Sequence, residues 1–191
     1  MKQARVLTKE EIRKVIKVCE LTRHADRNKL IVHISFLSGM RAIEIANLRV
    51  KDVLTADNQV LDAIALDKTQ TKGNKGQTVY VGKALKKELT KYFAKFPKLA
   101  DRKEGYLLRT QKGHFTSLTI QHLFKHLYAL ANIQNATSHS GRRSFITELS
   151  EKGVSVRVIQ ELARHSSLQT TQRYIDVSVP KLKGAVDLIG V

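Results

Sequence analysis

The sequence is poor in several things, and each shortage removes a class of answer. It has one cysteine, Cys19, so neither an internal disulfide framework nor a multi-cysteine zinc site is available. Cys19 falls in an apolar helical pattern with Val15 and Ile16, where a buried structural thiol is expected. No apolar run approaches the ~18 residues of a membrane span, and the opening MKQARVLTKEE has no hydrophobic signal region, which leads us to expect a protein of the reducing cytoplasm with no membrane partner. The GxxxxGK[ST] arrangement of nucleotide hydrolases is missing from the glycine-bearing TKGNKGQT. His122 and His126 stand four apart, but Leu123 occupies the place where a zinc protease needs glutamate, so we read them as surface or groove residues. Asp57, Asp62 and Asp67 recur every five residues, which suits neither a helix face nor a two-metal carboxylate site. There is no repeat, low-complexity segment or linker.

Acidic residues are also scarce: 17 aspartates and glutamates face 34 lysines and arginines, for a net charge of +17 and a pI near 10.1. That excess is spread through a folding sequence, so the expected partner is a polyanion, with nucleic acid first. The 191 residues, 42% of them hydrophobic, suffice for one compact domain.

Periodicity predicts a mostly helical fold with a small antiparallel β-sheet. Thr8 and Glu11 form a capping-box pattern, and Ile12, Val15, Ile16 and Cys19 mark one face of a helix reaching about His24. Asp26 is read as the cap of a second helix, apolar enough to be central, that runs to Gly39; a third spans Met40 to about Val50. VLDAIAL and QTVYV read as strands around a lysine-loaded turn holding Gly73, Asn74 and Gly76. An extended piece is expected at 106–108, with helices from Lys83 to Phe96, Ser117 to Ala131, His139 to Lys152 and Ser155 to Arg164. A short turn at 170–174 and a tail helix after Pro180 complete the chain.

Two arginines occupy matching local settings. Arg41 is followed at i+4 and i+7 by Ile45 and Leu48, and Arg142 by Ile146 and Leu149, so each prolongs an apolar stripe at a helix start. A guanidinium in that place makes a phosphate clamp. The plainer reading is an arginine held by a buried carboxylate, which Glu44 could supply to Arg41. His139 alone reads as a capping or core histidine, His165 as a histidine at a helix C-terminus, and Tyr174 as a packing tyrosine. Their joint spacing points instead to phosphodiester chemistry with a tyrosine nucleophile.

The blocks SGMRAIEIANLRV, TKGNKGQTVYV, HSGRRSFITEL and LARHSSLQTTQRYIDV, in this order, resemble the catalytic domain of the tyrosine recombinases, or phage-type integrases, over about residues 7–177. The resemblance implies site-specific cutting and rejoining of a double-stranded DNA target site through a 3′-phosphotyrosyl link, without metal, cofactor or ATP. It places the family's catalytic residues on Arg41, Lys72, His139, Arg142, His165 and the nucleophile Tyr174, with Glu44 supporting the first arginine. Lys68, Lys75, Arg143 and Arg164 are expected to contact DNA. A tyrosine hydroxyl ionises near ~10, so it needs a proton acceptor and cationic surroundings to attack. The two arginines and His165 suit the charge that develops on the phosphate, His139 suits acid–base work at the attacking oxygen, and Lys72 suits protonation of the leaving 5′ oxygen.

The chain departs from the family at Arg143, often histidine; at Arg164, often glycine; and at Asp176, often histidine. The expected layout is a catalytic domain over residues 1–179 and a tail helix over 180–191 that docks in a neighbouring copy, with no N-terminal core-binding domain: a short natural member or an excised catalytic domain. Self-association into a tetrameric synapse on DNA and accessory DNA-bending proteins are the further partners implied. A type IB topoisomerase, or a DNA-binding regulator that has lost the chemistry, are the alternatives.

Overall fold

A computed structural model describes residues 4–71, 76–111, 113–174, 179–187 and 189 of the chain. It divides into two compact units, Met1–Phe145 and Ile146–Val191, where the sequence suggests a single body.

In the first unit, Thr8 and Glu11 cap helix α1 (Lys9–Val18) reciprocally, and a 3-10 turn (Cys19–Leu21) follows where a longer α-helix is expected. Cys19 is fully buried; its thiol donates to the Val15 carbonyl, and desolvation pushes its pKa up to about 11. Helix α2 (Ala25–Ser38) starts one residue before the expected cap: His24 is the N-cap, and Asp26 lies in the first turn. Buried residues occur on nearly every face of α2, and α1, α3 and α5 pack on it, so it is the core helix its composition predicts.

The helix expected from Met40 to Val50 is two helices, α3 (Ala42–Asn47) and α4 (Val50–Val53). The break falls at Leu48–Arg49 because the carboxylate of Asp52 accepts from the Arg49 backbone N–H and starts a new helix. Strands β1 (Ala63–Leu66) and β2 (Gln77–Tyr80) pair antiparallel, with Ala63 opposite Tyr80 and Leu66 opposite Gln77. Helix α5 (Lys83–Lys95) ends before Pro97, as expected. A second small hairpin, β3 (Arg109–Thr110) with β4 (Gly113–His114), precedes α6 (Ser117–Leu130), which packs on α3 and α1.

Helix α7 (Ser140–Glu151) carries the chain to the second unit. There α8 (Val156–Ala163) packs on the short α9 (Leu168–Gln172), and α10 (Val179–Val186) closes the chain. On the tail, Leu182, Val186 and Ile189 are all exposed. Among the described residues, no helix is long and apolar enough to cross a membrane.

Candidate active site

The arginine half of the candidate site is built where α2 stops. Gly39 takes a left-handed conformation (φ 63°) and its N–H bonds the Ser35 carbonyl, ending the helix. Two residues on, Arg41 is the extended N-cap of α3 and lies outside the helical stripe predicted for it. Ile45 and Leu48 are nonetheless buried. Glu44 reaches back with both oxygens: Oε2 accepts from the Arg41 backbone N–H at 2.8 Å, and Oε1 meets Arg41 Nη1 at 2.7 Å. The Glu44 side chain is 0% exposed and that of Arg41 is 21% exposed, so a buried carboxylate holds a guanidinium that still reaches the surface. A buried charge is tolerated only with such pairing.

Arg142, in the first turn of α7, is 5% exposed and donates through Nη1 to the Gly39 carbonyl at 2.8 Å. The two arginines, a hundred residues apart in sequence, are thus brought to the same turn. Two glycines permit the approach. A Cβ on Gly39 would stand 2.7 Å from a ring carbon of Phe145, and one on Gly141 would overlap the Ser35 hydroxyl.

His139 lies one residue before α7 and is exposed, while Arg142 is buried. Its neighbours fix it: Thr137 N–H bonds Ser140 Oγ at 3.0 Å, and His139 N–H bonds Thr137 Oγ1 at 3.2 Å. Arg143 is half-buried and donates through Nη1 to the Ala4 carbonyl at 2.8 Å.

Lys72 and Lys75 lie outside the described residues, as does Asp176. Lys68 is exposed in the turn after β1. Asp67 organises that turn, and hydrogen bonds from Thr69 hold its carboxyl below the usual range. Gln70, 5% exposed, moors the turn through Nε2 to the Asn47 carbonyl (2.9 Å) and Asp52 Oδ2 (2.6 Å).

The tyrosine half is described within the second unit. Arg164 caps α8 in the left-handed region (φ 56°), which is the physical reason glycine suits this place, and its Nη1 donates to the Leu162 carbonyl. Backbone and side chain of Gln160 exchange hydrogen bonds with the His165 backbone, each at 3.1 Å. The His165 ring meets Thr171 Oγ1 through Nδ1 at 2.9 Å and stacks on Tyr174, with ring centroids 5.7 Å apart and planes 21° from parallel. The contact from Nδ1 to Thr171 fixes the orientation of the imidazole ring. Thr171 is fully buried and its carbonyl also accepts the Tyr174 N–H at 3.0 Å, so one residue places both aromatic groups.

Thr171, Gln160 and Gln70 are the supporting residues that sequence reasoning missed. Only Thr171 left a trace, three residues before the tyrosine in TTQRY. Among the described residues no group of three or more His, Cys, Asp or Glu side chains is placed to hold a metal ion.

The profile of the phage integrase family matches residues 5–180. The tyrosine recombinase XerA of Thermococcus kodakarensis is 35% identical over 184 residues, which cover 95% of this chain and 61% of that protein. This chain therefore spans about three fifths of the length of that curated relative. A crystal structure of XerA recombinase matches with a TM-score of 0.74 at 24% identity, over 97% of this chain and 66% of that one. The XerH site-specific recombinase in a pre-cleavage complex with its difH substrate matches with a TM-score of 0.73 at 22% identity, over 97% and 54%. The fold is that of a tyrosine recombinase catalytic domain. The chain belongs to the phage integrase family.

Proposed function

We propose that the chain is the catalytic domain of a site-specific DNA recombinase that cuts and rejoins strands through a 3′-phosphotyrosyl intermediate. The observation that carries the reading is the His165–Thr171–Tyr174 arrangement, a tyrosine ring laid against a histidine whose other ring nitrogen is already engaged. Membership of the integrase family and the substrate-bound state of the XerH neighbour support it.

In this reading the Tyr174 oxygen attacks a backbone phosphorus, its proton passes to His139, and the bond to the 5′ oxygen breaks as Lys72 protonates that leaving group. Arg41 and Arg142 bind the nonbridging oxygens, and His165 donates to them through Nε2. Glu44 fixes the fork of Arg41. A free 5′ hydroxyl of a second strand then reverses the step, because the phosphotyrosyl bond keeps the energy of the bond it replaced. Lys68, Lys75, Arg143 and Arg164 add cationic contacts to the duplex.

The domain is residues 1–179, and the exposed apolar side chains of the tail over 180–191, Leu182, Val186 and Ile189, are its docking surface for a neighbouring copy in a tetrameric assembly on DNA. Accessory DNA-bending proteins would help that assembly, and its place of work is the DNA of the cytoplasm.

The test is a pool of randomised duplexes, each nicked just beyond a possible scissile phosphate. Wild type should become covalently attached to DNA, Tyr174→Phe should not, and sequencing the attached strand reads out the target site. Binding without attachment by a folded wild-type chain would overturn the enzymatic reading.

A further inference from the structure

A cleft in the first unit lies among the start of α2, the end of α5 and β3, with a volume of about 750 Å³, within the range of ligand pockets. Its floor is apolar, formed by Tyr92, Phe96, Leu99 and Leu107, and the Tyr92 and Phe96 rings lie 4.9 Å apart. Six of its fourteen lining residues are lysine or arginine, against 34 of 191 in the whole chain, so the cleft is richer in positive charge than the basic composition accounts for.

One of these cations is built into the wall. Arg27 donates through Nε and Nη2 to Asn28 Oδ1, through Nη1 to the Arg109 carbonyl at 2.9 Å, and stacks over Phe115 at 4.9 Å. Among the described residues no carboxylate pairs with Arg23, Arg27, Lys98, Arg102 or Arg109; the one acid lining the cleft, Asp26, is paired with Lys95 at 2.7 Å. Burial lowers the Arg27 pKa. Burial, and then the charges of Arg27 and Arg23, lower that of His24 at the same cleft. A half-buried guanidinium without a counter-ion, above an apolar floor, leaves a positive potential that a suitable anion would relieve.

We propose that this cleft binds a short acidic segment of a partner protein, its carboxylates taken by Arg23, Lys98, Arg102 and Arg109 and an aliphatic or aromatic side chain seated on Tyr92, Phe96 and Leu107. Charge and shape together select this occupant. A DNA backbone would meet the cations but leave the apolar floor empty. The chain's own tail would fill the floor but carry Lys181 and Lys183 to a cationic rim. The cleft uses none of the residues assigned to strand cleavage, so the proposal stands or falls independently of the proposed activity.

The experiment is selection of binders from a random-peptide display library on the full chain, followed by fluorescence polarisation of the enriched peptides. Enriched peptides should combine aspartate or glutamate with a leucine, phenylalanine or similar anchor, and bind more weakly as salt rises. Lys98→Glu with Arg102→Glu should weaken them roughly tenfold or more. Phe96→Ala should weaken them with less change in the salt dependence. Thermal melting of each variant verifies that the fold is kept. Enrichment of neutral or basic peptides, acidic peptides indifferent to the charge reversal, or tighter binding by a peptide of residues 180–191 or by a short oligonucleotide at this cleft would each overturn the proposal.

Discussion

The two groups of candidate residues, one in each unit, are held by different kinds of force. Around Arg41 and Arg142 the supports are buried and charged: a fully enclosed carboxylate, a 5%-exposed guanidinium on a backbone carbonyl, and two glycines that let the chain close up. Around Tyr174 the described supports include the hydrogen bond from Thr171 to the His165 ring, the bond of the Tyr174 N–H to the Thr171 carbonyl and the stack of the two rings, just after a short helix. The first half shares its energetics with the core and cannot loosen without cost to the fold. In the second, the hydrogen bond that orients the His165 ring contributes about 1 kcal/mol.

The sharpest way to break this contrast is Glu44→Ala. Removing the buried partner of Arg41 should destabilise the chain by about 3 kcal/mol in urea unfolding and abolish covalent attachment to DNA. A loss under 1 kcal/mol would show that the carboxylate is not integral to the core. Next comes Gly39→Ala, which forces a Cβ into a left-handed residue facing Phe145 and should cost about 2 kcal/mol, with a matching drop in melting temperature.

Thr171→Val tests the other side. It should leave stability within about 1 kcal/mol of wild type but slow covalent attachment more than it weakens DNA binding, because the His165 ring loses its anchor. Equal effects on binding and attachment would argue that Thr171 serves only the fold. The smallest effect is expected of Arg164→Gly. Relief of the left-handed penalty, about 1–2 kcal/mol, is offset by the unfolded-state freedom of glycine, about 0.5–1 kcal/mol, leaving a net gain of about 0.5 kcal/mol. Destabilisation instead would mean that the Arg164 bond to the Leu162 carbonyl outweighs the strain.

The same contrast explains what could be read in advance. Periodicity gave most helices to within two residues, because α2, α5 and α6 bury apolar residues against a core, but it ran α1 on to about His24 where the α-helix ends at Val18. It failed at Leu48–Arg49, where an arginine opens a helix through the reach-back of Asp52, and arginine is not a residue type that signals a cap. The β3–β4 hairpin was missed although Gly113 marked its turn, because two-residue strands carry no alternation to detect. Arg41, Glu44 and Arg142 were legible as candidates from their spacing. That Arg142 leans on the Gly39 carbonyl was not, since a contact between residues 103 positions apart leaves no local pattern. Gln70 was invisible for the same reason, since it works on the Asn47 carbonyl 23 positions away, while Thr171 left only its place in TTQRY as a trace.

The enclosed carboxylate beneath Arg41 also constrains how this lineage can decay. Replacing the arginine alone removes the charged partner of an interior anion, and replacing the glutamate alone undermines the interior that shelters it, so each change carries a cost to the fold. A descendant that kept the scaffold but abandoned the reaction would have to exchange both members together, and that matched exchange would be the mark by which a retired copy is recognised.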